Sequence, residues 1–396
     1  MAASAIKSIA IYPLAIPLRQ SVDHAAQQRR VADPVVVAVE LYSGTIGYGE
    51  TLARPYVTGE TPASVVDSIT NQFVEALMHL APTAFPLALE SIDALPCQDA
   101  DGDSIAAARA AVELALLDVY TRHFGRPMSD VAGWMGFHEF AAPGSLPAVR
   151  CSSVLASNDP ARLKRTIRRS RWFGLRDFKL KVGNDADDER VRFVWSRVRR
   201  AVNAGRATLR IDANAAWTLD RAIERLTEWS DVALIGVEQP LPRDSDDQLP
   251  RLRAETGARI IHDESLCTHH DAERLIELGV ADAFNIRISK CGGFLPSLRL
   301  ARLARKHGVS IVLGCMVGET SILSAAARRF LELVPHVRLT EGNYGTWLIE
   351  RDLIARPLRF GFGGRVQPLP GPGWGIDVDR RRLESLALER PRRIEF

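Results

Sequence analysis

The sequence predicts an α/β fold, a (β/α)7β barrel of the TIM type with an α+β capping domain built from both ends of the chain. Two observations lead to this prediction. From about residue 147 onward, eight short β-branched runs alternate with seven amphipathic stretches of helical length, which is the order of a parallel barrel that lacks one helix. The first 140 residues and the last 50 instead combine a meander-like strand pair, helical segments and glycine–proline turns.

The eight runs are the strand candidates of the barrel. In chain order they are LPAVRCSSV, LRDFKLKV, ATLRID, ALIGVE, ARIIHD, DAFNIRIS, VSIVLGC and VRLTEG. The segments between them, such as DERVRFVWSRVRRAV, carry apolar residues at helical spacing. A doubly wound open sheet is the alternative architecture, but no glycine-rich dinucleotide fingerprint follows an early strand.

The capping domain is predicted from the segments that flank the barrel. Two strand-like runs, SIAIYPLAIPL and VVVAVELYSGTIGYGE, precede helical segments such as SIAAARAAVELALLDVYTRHFG. The end of the chain carries the turns of GFGGRVQPLPGPGWG and is expected to return to this lobe. We therefore predict a capping domain over 1–140, the barrel over 141–345 and a returning segment over 346–396.

Composition narrows the functional class. The chain is 46% hydrophobic and 25% charged with a net charge of +3, a balance typical of globular proteins that gives no indication of a nucleic-acid partner. The basic run RLKRTIRRSR lies in a helical segment, where a solvated face is the usual explanation and a binding patch the alternative.

Five dispersed cysteines predict reduced thiols rather than disulfides. Without a signal peptide or a membrane span, a cytoplasmic protein is expected.

Three carboxylates end three consecutive strand candidates. Asp212, Glu238 and Asp263 are separated by 26 and 25 residues, which is one βα unit each. The carboxyl ends of barrel strands meet at one rim, so these side chains are expected to converge. A single strand-end aspartate is more simply a helix N-cap. Three like charges need a cation, and hard oxygen ligands suit Mg²⁺, with Mn²⁺ as a possible substitute.

Two lysines in DFKLKVG raise a related question. Lys179 and Lys181 share one face of the second strand, and an outward face would make them ordinary solvated surface. The neighbouring strand that ends in Asp212 instead places them at the mouth, about 6–7 Å apart, where mutual repulsion is expected to lower one pKa. A lysine that is neutral near pH 7 can act as a general base for a proton α to a carboxylate.

This combination of residues resembles the enolase superfamily, and within it the muconate-lactonizing subgroup. The motifs that carry the resemblance are KLK at 179–181, DANAAW at 212–217, EQP at 238–240, DES at 263–265 and NIRISKCGG at 285–293. The resemblance implies that Asp212, Glu238 and Asp263 bind Mg²⁺. It also implies that Lys181 is the base, that Lys179 tunes it, and that Asn214 and Glu264 support the metal ligands or the substrate.

One position departs from the family pattern. Arg287 stands where the family carries a second catalytic lysine on the sixth strand, and an arginine stays protonated. This favours one-base cycloisomerisation or elimination over racemisation with two opposed bases. Lys290 is the alternative catalytic group, provided that the strand ends or bulges before it, because a continuous strand would place it on the face opposite Arg287.

Further candidates for substrate contact lie in loops. Glu319 in GCMVGET is either an N-cap or first-turn acid of the next helix, or a polar partner for Arg287 or the substrate. His24 and Arg54 lie in two cap loops that, by resemblance, close over the mouth, although His24 could equally be a surface histidine. The run TEGNYG lacks the Asp-x-Asp pair of related dipeptide epimerases, so a dipeptide substrate is less expected.

These observations predict a Mg²⁺-dependent isomerase of the muconate cycloisomerase type that forms an enolate from a small carboxylate substrate. A racemase or epimerase is the first alternative and a dehydratase the second. A metal-binding scaffold that has lost turnover is the alternative outside the enzymes. No nucleic-acid or membrane partner is expected, and a homo-oligomer is the usual state for such a chain.

Overall fold

The structure is a computed structural model that describes residues 2–24, 27–140, 150–341 and 345–396. Its N-terminal lobe contains five strands followed by six α-helices. The strands are β1 (Ile6–Pro13), β2 (Ile16–His24), β3 (Gln27–Ala32), β4 (Val35–Leu41) and β5 (Ile46–Thr51). The helices are α1 (Pro55–Thr58), α2 (Pro62–Ser68), α3 (Val74–Met78), α4 (Phe85–Asp93), α5 (Ala106–His123) and α6 (Ser129–Trp134).

Eight parallel strands then form the barrel, and each pairs with its neighbour in chain order. They are β6 (Ser153–Leu155), β7 (Asp177–Lys181), β8 (Thr208–Asp212), β9 (Val237–Glu238), β10 (Ile260–His262), β11 (Ala283–Ile286), β12 (Ser310–Leu313) and β13 (Val337–Thr340). A hydrogen bond from Ser152 N to Thr340 O, 2.9 Å long, joins the last strand to the first. The predicted barrel is confirmed, although β6 covers only the end of its predicted run.

Seven helices connect these strands, as the sequence predicted. They are α7 (Pro160–Trp172), α8 (Asp187–Asn203), α9 (Leu219–Glu228), α10 (Leu249–Thr256), α11 (His269–Glu277), α12 (Phe294–Lys306) and α13 (Ser321–Leu333). Several begin at side-chain caps that the sequence supplies, for example Thr218 before α9 and Thr268 before α11. The connections therefore start at defined residues next to the carboxyl ends of the strands.

The C-terminal part returns to the first lobe. It contains α14 (Gly345–Leu348), α15 (Arg380–Leu386) and β14 (Arg392–Glu395). Strand β14 pairs antiparallel with β1 and completes a four-stranded sheet in the order β14-β1-β4-β5. This confirms a capping lobe built from both ends of the chain, whereas the boundaries placed at residues 140 and 345 stay predictions. No helix in the described ranges combines the length and apolar character needed to cross a membrane.

Helix α5 packs directly on the capping sheet and is buried on almost every side. The close approach depends on Gly47 and Gly49 of β5. A Cβ atom at Gly49 would lie 1.9 Å from the carbonyl oxygen of Ala111 in α5, and one at Gly47 would lie 2.4 Å from that of Ala115. Any larger side chain at either glycine would push the helix away from the sheet.

Two carboxylates of the capping lobe cap two helices of the barrel. Glu50 in β5 accepts hydrogen bonds from Thr320 N at 2.8 Å and Leu323 N at 3.0 Å, at the start of α13. Glu113 in α5 accepts from Leu295 N at 3.0 Å at the start of α12. Backbone N–H groups at a helix start have no partner within the helix. The two carboxylates of the capping lobe therefore provide hydrogen-bond acceptors for N–H groups of the barrel across the interface.

Glu50 makes this joint sensitive to pH. Burial raises the pKa of its carboxyl group from 4.5 to about 7, so between these values the folded protein binds a proton that the unfolded chain releases. The carboxyl group of Glu50 therefore makes its full contribution to stability below about pH 4.5, and this contribution is lost as pH rises through 7. Titration of this group lowers the free energy of unfolding by about 3 kcal/mol across this range. We expect Glu50→Gln to remove this part of the pH dependence in urea unfolding between pH 5.5 and 8.5.

Glu40→Gln on the neighbouring strand β4 is the matched control. The pKa of Glu40 is lowered, mainly by a hydrogen bond from Lys7, so this carboxylate does not titrate in the same range and its variant should keep the wild-type slope. Equal slopes for wild type and Glu50→Gln would contradict the prediction.

Candidate active site

The lysine pair of β7 faces the mouth of the barrel. Lys179 Nζ lies 2.7 Å from Glu238 Oε1 and 2.9 Å from Asp212 Oδ2, and its side chain is only 1% exposed. Lys181 lies two residues further along the same face of β7, and its side chain is 20% exposed. In the β7–β8 ladder it pairs with Asp212. Of the two ammonium groups, only that of Lys181 is open to an entering molecule.

The sequence left open which lysine of the pair has the lowered pKa, and the structure excludes Lys179. Burial alone would lower its pKa, but the carboxylates Asp212, Glu238 and Glu341 outweigh burial and raise the pKa well above its usual value. Repulsion from Lys181 therefore does not neutralise Lys179, which remains an ammonium group. Its positive charge holds the carboxylates around it in place.

Lys181 is held by two oxygen atoms. Its Nζ donates to Asn214 Oδ1 at 2.6 Å and lies 3.0 Å from Asp212 Oδ2. Asn214 and Ala215 follow β8 with φ angles of 46° and 60°, a left-handed conformation that asparagine tolerates better than most residues. This turn aims the amide of Asn214 at Lys181, and the Asn214 Nδ2 donates to Glu264 Oε1 at 3.3 Å.

The three predicted metal ligands lie side by side at the strand ends. Asp212 closes β8, Glu238 closes β9 and Asp263 follows β10, and all three are buried. Burial raises the pKa of Asp212, but Lys179 and Lys181 overcome this and hold it far below its usual range. For Glu238 burial dominates and raises the pKa.

Arg287 reaches into this group from β11. Its Nη2 donates to Asp263 Oδ2 and lies 3.8 Å from Glu238 Oε1. A Cβ atom on Gly314 would lie 2.9 Å from Arg287 Cγ, so a glycine at the end of β12 makes room for the longer side chain. Burial lowers the pKa of Arg287, but Asp263 and Glu264 outweigh it and raise the pKa further, so the guanidinium is a permanent cation.

The prediction that Lys290 lies on the face opposite Arg287 is wrong, because it assumed a continuous strand. Strand β11 ends at Ile286 and the chain turns. Lys290 Nζ therefore approaches Asp263 as well, at 2.8 Å from Oδ1, and also donates to the Asp263 carbonyl oxygen. Lys290 is buried, and it holds Asp263 through both the backbone carbonyl oxygen and the side-chain carboxylate.

Three further residues of the site were not identified from the sequence. Glu341 follows β13 and lies 3.1 Å from Lys179 Nζ. Arg210 in β8 donates to Glu341 Oε1, and Asn285 Nδ2 in β11 donates to Glu238 Oε1 at 2.7 Å. Arg210 and Asn285 each lie two residues before an assigned site residue, so the alternation of strand side chains would have placed them on the inner face.

The loop candidates have different outcomes. Glu319 does not cap α13, since Thr320 is the N-cap residue. Glu319 instead accepts a hydrogen bond from Met316 N at 2.5 Å, and burial raises its pKa to about 8. The Arg54 guanidinium donates to Asp33 Oδ1 at 2.8 Å and to Val317 O at 3.1 Å, which ties the cap to the loop after β12.

Direct substrate contact by these residues stays a prediction. The prediction for His24 concerns a side chain outside the part that the structure describes, although the backbone of His24 ends β2 and pairs with Gln27.

The donor set at the mouth fits a hard divalent cation. Glu264 Oε2 is a buried oxygen that receives no hydrogen bond from the described residues. Asp212 Oδ2 faces Lys179 and Lys181, and Glu238 Oε2 faces Arg210. Carboxylate oxygens are the ligands that Mg²⁺ prefers. As they stand, no three acidic, histidine or cysteine side chains in the described ranges form a group that could hold a metal ion. Lys179 and Arg287 lie between the carboxylates.

Comparisons with known proteins agree with this geometry. Residues 162–382 match the family model described as Enolase C-terminal domain-like. Residues 7–133 match the N-terminal domain model of mandelate racemase / muconate lactonizing enzyme. Both predicted lobes therefore have a counterpart in the family.

Individual relatives extend over nearly the whole chain. N-succinyl-L-Arg/Lys racemase from Bacillus cereus is 27% identical over 394 residues, covering 97% of this chain and 98% of the relative. A solved structure of an N-succinyl Arg/Lys racemase from that organism has a TM-score of 0.86 at 23% identity, covering 99% of this chain and 100% of the other. Muconate cycloisomerase 1-2 from Acinetobacter lwoffii is 28% identical over 360 residues, covering 89% of this chain and 87% of the relative.

A third relative adds a bound metal. A solved dipeptide epimerase from Cytophaga hutchinsonii, complexed with Mg and the dipeptide D-Ala-L-Val, has a TM-score of 0.81 at 24% identity, covering 98% of this chain and 99% of that one. At this identity the likeness shows the fold alone. The racemase at 27% identity and the muconate cycloisomerase at 28% identity are both isomerases, which confirms the predicted enzyme class. The chain belongs to the mandelate racemase / muconate lactonizing enzyme family of the enolase superfamily.

Proposed function

We propose that this protein is an isomerase that removes the proton α to a carboxylate group of a small substrate, with Lys181 as the general base. The observation that carries the proposal is the contrast within the lysine pair. Lys179 is enclosed by three carboxylates, whereas Lys181 is partly exposed and fixed in direction by Asn214 and Asp212. A base must reach the substrate with a defined orientation, and Lys181 alone of the two meets that requirement.

We propose Mg²⁺ as the cofactor, held by Asp212, Glu238 and Asp263, with Mn²⁺ as a substitute. When bound, the cation would stabilise the negative charge that deprotonation places on the substrate carboxylate. Arg287 donates to Asp263 Oδ2, so this oxygen would be available to the cation only without that contact. Lys290 holds the other carboxylate oxygen of Asp263 and would keep the side chain in place.

A muconate cycloisomerase-like reaction fits the site best. Arg287 takes the position of a second base but does not release its proton. It can bind a second anionic group of the substrate or stabilise developing negative charge. A single base on one face is sufficient for cycloisomerisation, and also for a dehydratase reaction.

A racemase or epimerase is the second candidate, and Glu319 is the observation that favours it. This buried carboxyl group has a pKa of about 8 and is subject to the field of Arg287. It is therefore largely protonated at neutral pH, and in this second candidate it would deliver the proton that Lys181 does not return.

The test is proton exchange in D₂O. The protein is incubated with Mg²⁺ and a panel of lactones, hydroxy acids and N-acyl amino acids, and deuterium uptake is followed by mass spectrometry with and without EDTA. We expect metal-dependent uptake at the α carbon with retention of configuration. Uptake with loss of configuration would favour the racemase. Metal binding with no uptake across the panel would contradict the proposal and favour a scaffold without turnover. A homo-oligomer and a cytoplasmic location also stay predictions.

A further inference from the structure

A second cavity lies at the opposite end of the barrel from the candidate active site. It has a volume of about 570 Å³ and opens between helices α7 and α8. Its lining includes Arg176 and Ala207, which directly precede β7 and β8, so it is at the amino ends of the strands. This volume falls in the range of small-molecule binding sites, about 300–1,000 Å³.

The rim of this cavity carries positive charge without a counter-charge. Six cationic side chains line it, and no carboxylate does. They are Lys164, Arg168, Arg171, Arg176, Arg197 and Arg206. None of the six forms an ion pair within the described part of the chain, although most arginines elsewhere on the helices of the barrel have an acidic partner, such as Arg192 with Asp231. Clustered like charges around a cleft attract an anion.

Another basic cavity of the protein provides a comparison. It has a volume of about 700 Å³ and is lined by Arg302, Lys306 and Glu139, among others. Here Arg302 lies 3.5 Å from Glu139 and stacks on Phe137. An acidic side chain therefore compensates part of the positive charge at this cavity. At the cavity between α7 and α8, Arg197 stacks on Phe193 and Arg171 and Arg176 donate to backbone carbonyl oxygens, but no carboxylate is present.

The floor of the cavity between α7 and α8 is apolar. Ile167, Phe178 and Val198 line it and are buried. Trp172, the last residue of α7, also lines the cavity and is 83% exposed. An exposed indole beside an apolar floor offers a flat surface on which a planar ring can stack. The ligand should therefore carry both anionic groups and a ring.

We propose that the cavity between α7 and α8 binds a nucleoside phosphate, with the base stacked on Trp172 and the phosphates on the arginine rim. The planar guanidinium fork suits phosphate oxygens better than other side chains do. An inorganic anion would leave the apolar floor and Trp172 unused. A nucleic acid strand would need a basic track that continues beyond one concave cleft. This site is separate from the proposed catalysis and does not depend on it.

The experiment measures binding to the full-length protein by titration calorimetry, with adenosine diphosphate, inorganic pyrophosphate and adenosine as probes. We expect saturable binding of adenosine diphosphate, at least tenfold tighter than that of pyrophosphate or adenosine. Trp172→Leu should weaken adenosine diphosphate at least fivefold and leave pyrophosphate unchanged. The double variant Lys164→Gln/Arg168→Gln should weaken both phosphates at least tenfold, since it removes two rim charges.

The controls separate this site from general charge effects. The side chains of Lys164 and Arg168 are exposed on α7, so their replacement should not unfold the protein, which thermal unfolding checks. Arg305→Gln/Lys306→Gln removes two exposed cations at the other basic cavity and should leave all three probes unaffected. Equal losses in both double variants, equal affinity for adenosine diphosphate and pyrophosphate, or no saturable binding would each overturn the proposal. Tighter, variant-sensitive binding of a single-stranded RNA would replace it with an RNA surface.

Discussion

Replacing Lys181 with alanine should reduce deuterium exchange into the substrate at least 1,000-fold, which is within the range of about 10²–10⁴ that a positioned general base contributes. The physical reason is that no other basic group replaces it. Lys179 is saturated by three carboxylates, and Lys290 is buried against Asp263. The measurement is the rate of deuterium incorporation per enzyme, determined by mass spectrometry at saturating Mg²⁺.

Lys181→Arg is the matched control for charge. It keeps a cation beside Asp212 and Asn214 but cannot give up its proton. It should therefore be as inactive as the alanine variant, while both bind Mn²⁺ within a few-fold of wild type in an electron paramagnetic resonance titration. Exchange that persists in either variant would remove Lys181 from the role of base.

Arg287→Lys should have the second-largest effect, on both metal binding and stereochemistry. The shorter side chain no longer reaches Asp263 Oδ2 in the same way, so that oxygen becomes available and Mn²⁺ should bind at least tenfold more tightly. A lysine can also lose its proton, which supplies a second base across the mouth from Lys181. The exchanged product should then lose configuration, whereas the wild type retains it.

Arg287→Gln separates these two effects. It releases Asp263 but provides no base, so it should share the gain in Mn²⁺ affinity and retain configuration. A larger rise of the melting temperature on adding Mn²⁺ to both variants gives an independent readout, because at a given ligand concentration the stabilisation of the folded state increases with the logarithm of the affinity. Wild-type Mn²⁺ affinity in both variants would show that Arg287 does not compete with the metal.

The sequence predicted the position of a site residue wherever a short-range rule determines that position. Asp212, Glu238 and Asp263 could be placed together because parallel strands end at one rim and one βα unit separates each pair. Lys179 and Lys181 could be assigned to one face from strand alternation, and the neighbouring strand that ends in Asp212 identified this face as the inner one. These rules need only the order of strands and the register within each strand, and both were evident in the pattern.

Where the sequence failed, the missing information was either the end of an element or a distant contact. Lys290 was placed on the wrong face because the sequence did not show that β11 ends at Ile286. The raised pKa of Lys179 depends partly on Glu341, which lies 162 residues further along the chain. Nothing local to DFKLKVG indicates that partner, so only the closed barrel could show how the lysine is compensated.

The two helix caps that the capping lobe provides to the barrel have a consequence for how substrate enters. Glu50 and Glu113 each accept hydrogen bonds at the start of a barrel helix. Moving the capping lobe away from the barrel would leave both carboxylates and these backbone N–H groups without partners. Such a movement would break buried hydrogen bonds at two places at once. These hydrogen bonds therefore oppose movement of the capping lobe as a whole, which leaves local changes in the loop segments at the mouth as the route for substrate entry. Changes of specificity can then accumulate in those segments without loosening the joint between the lobes.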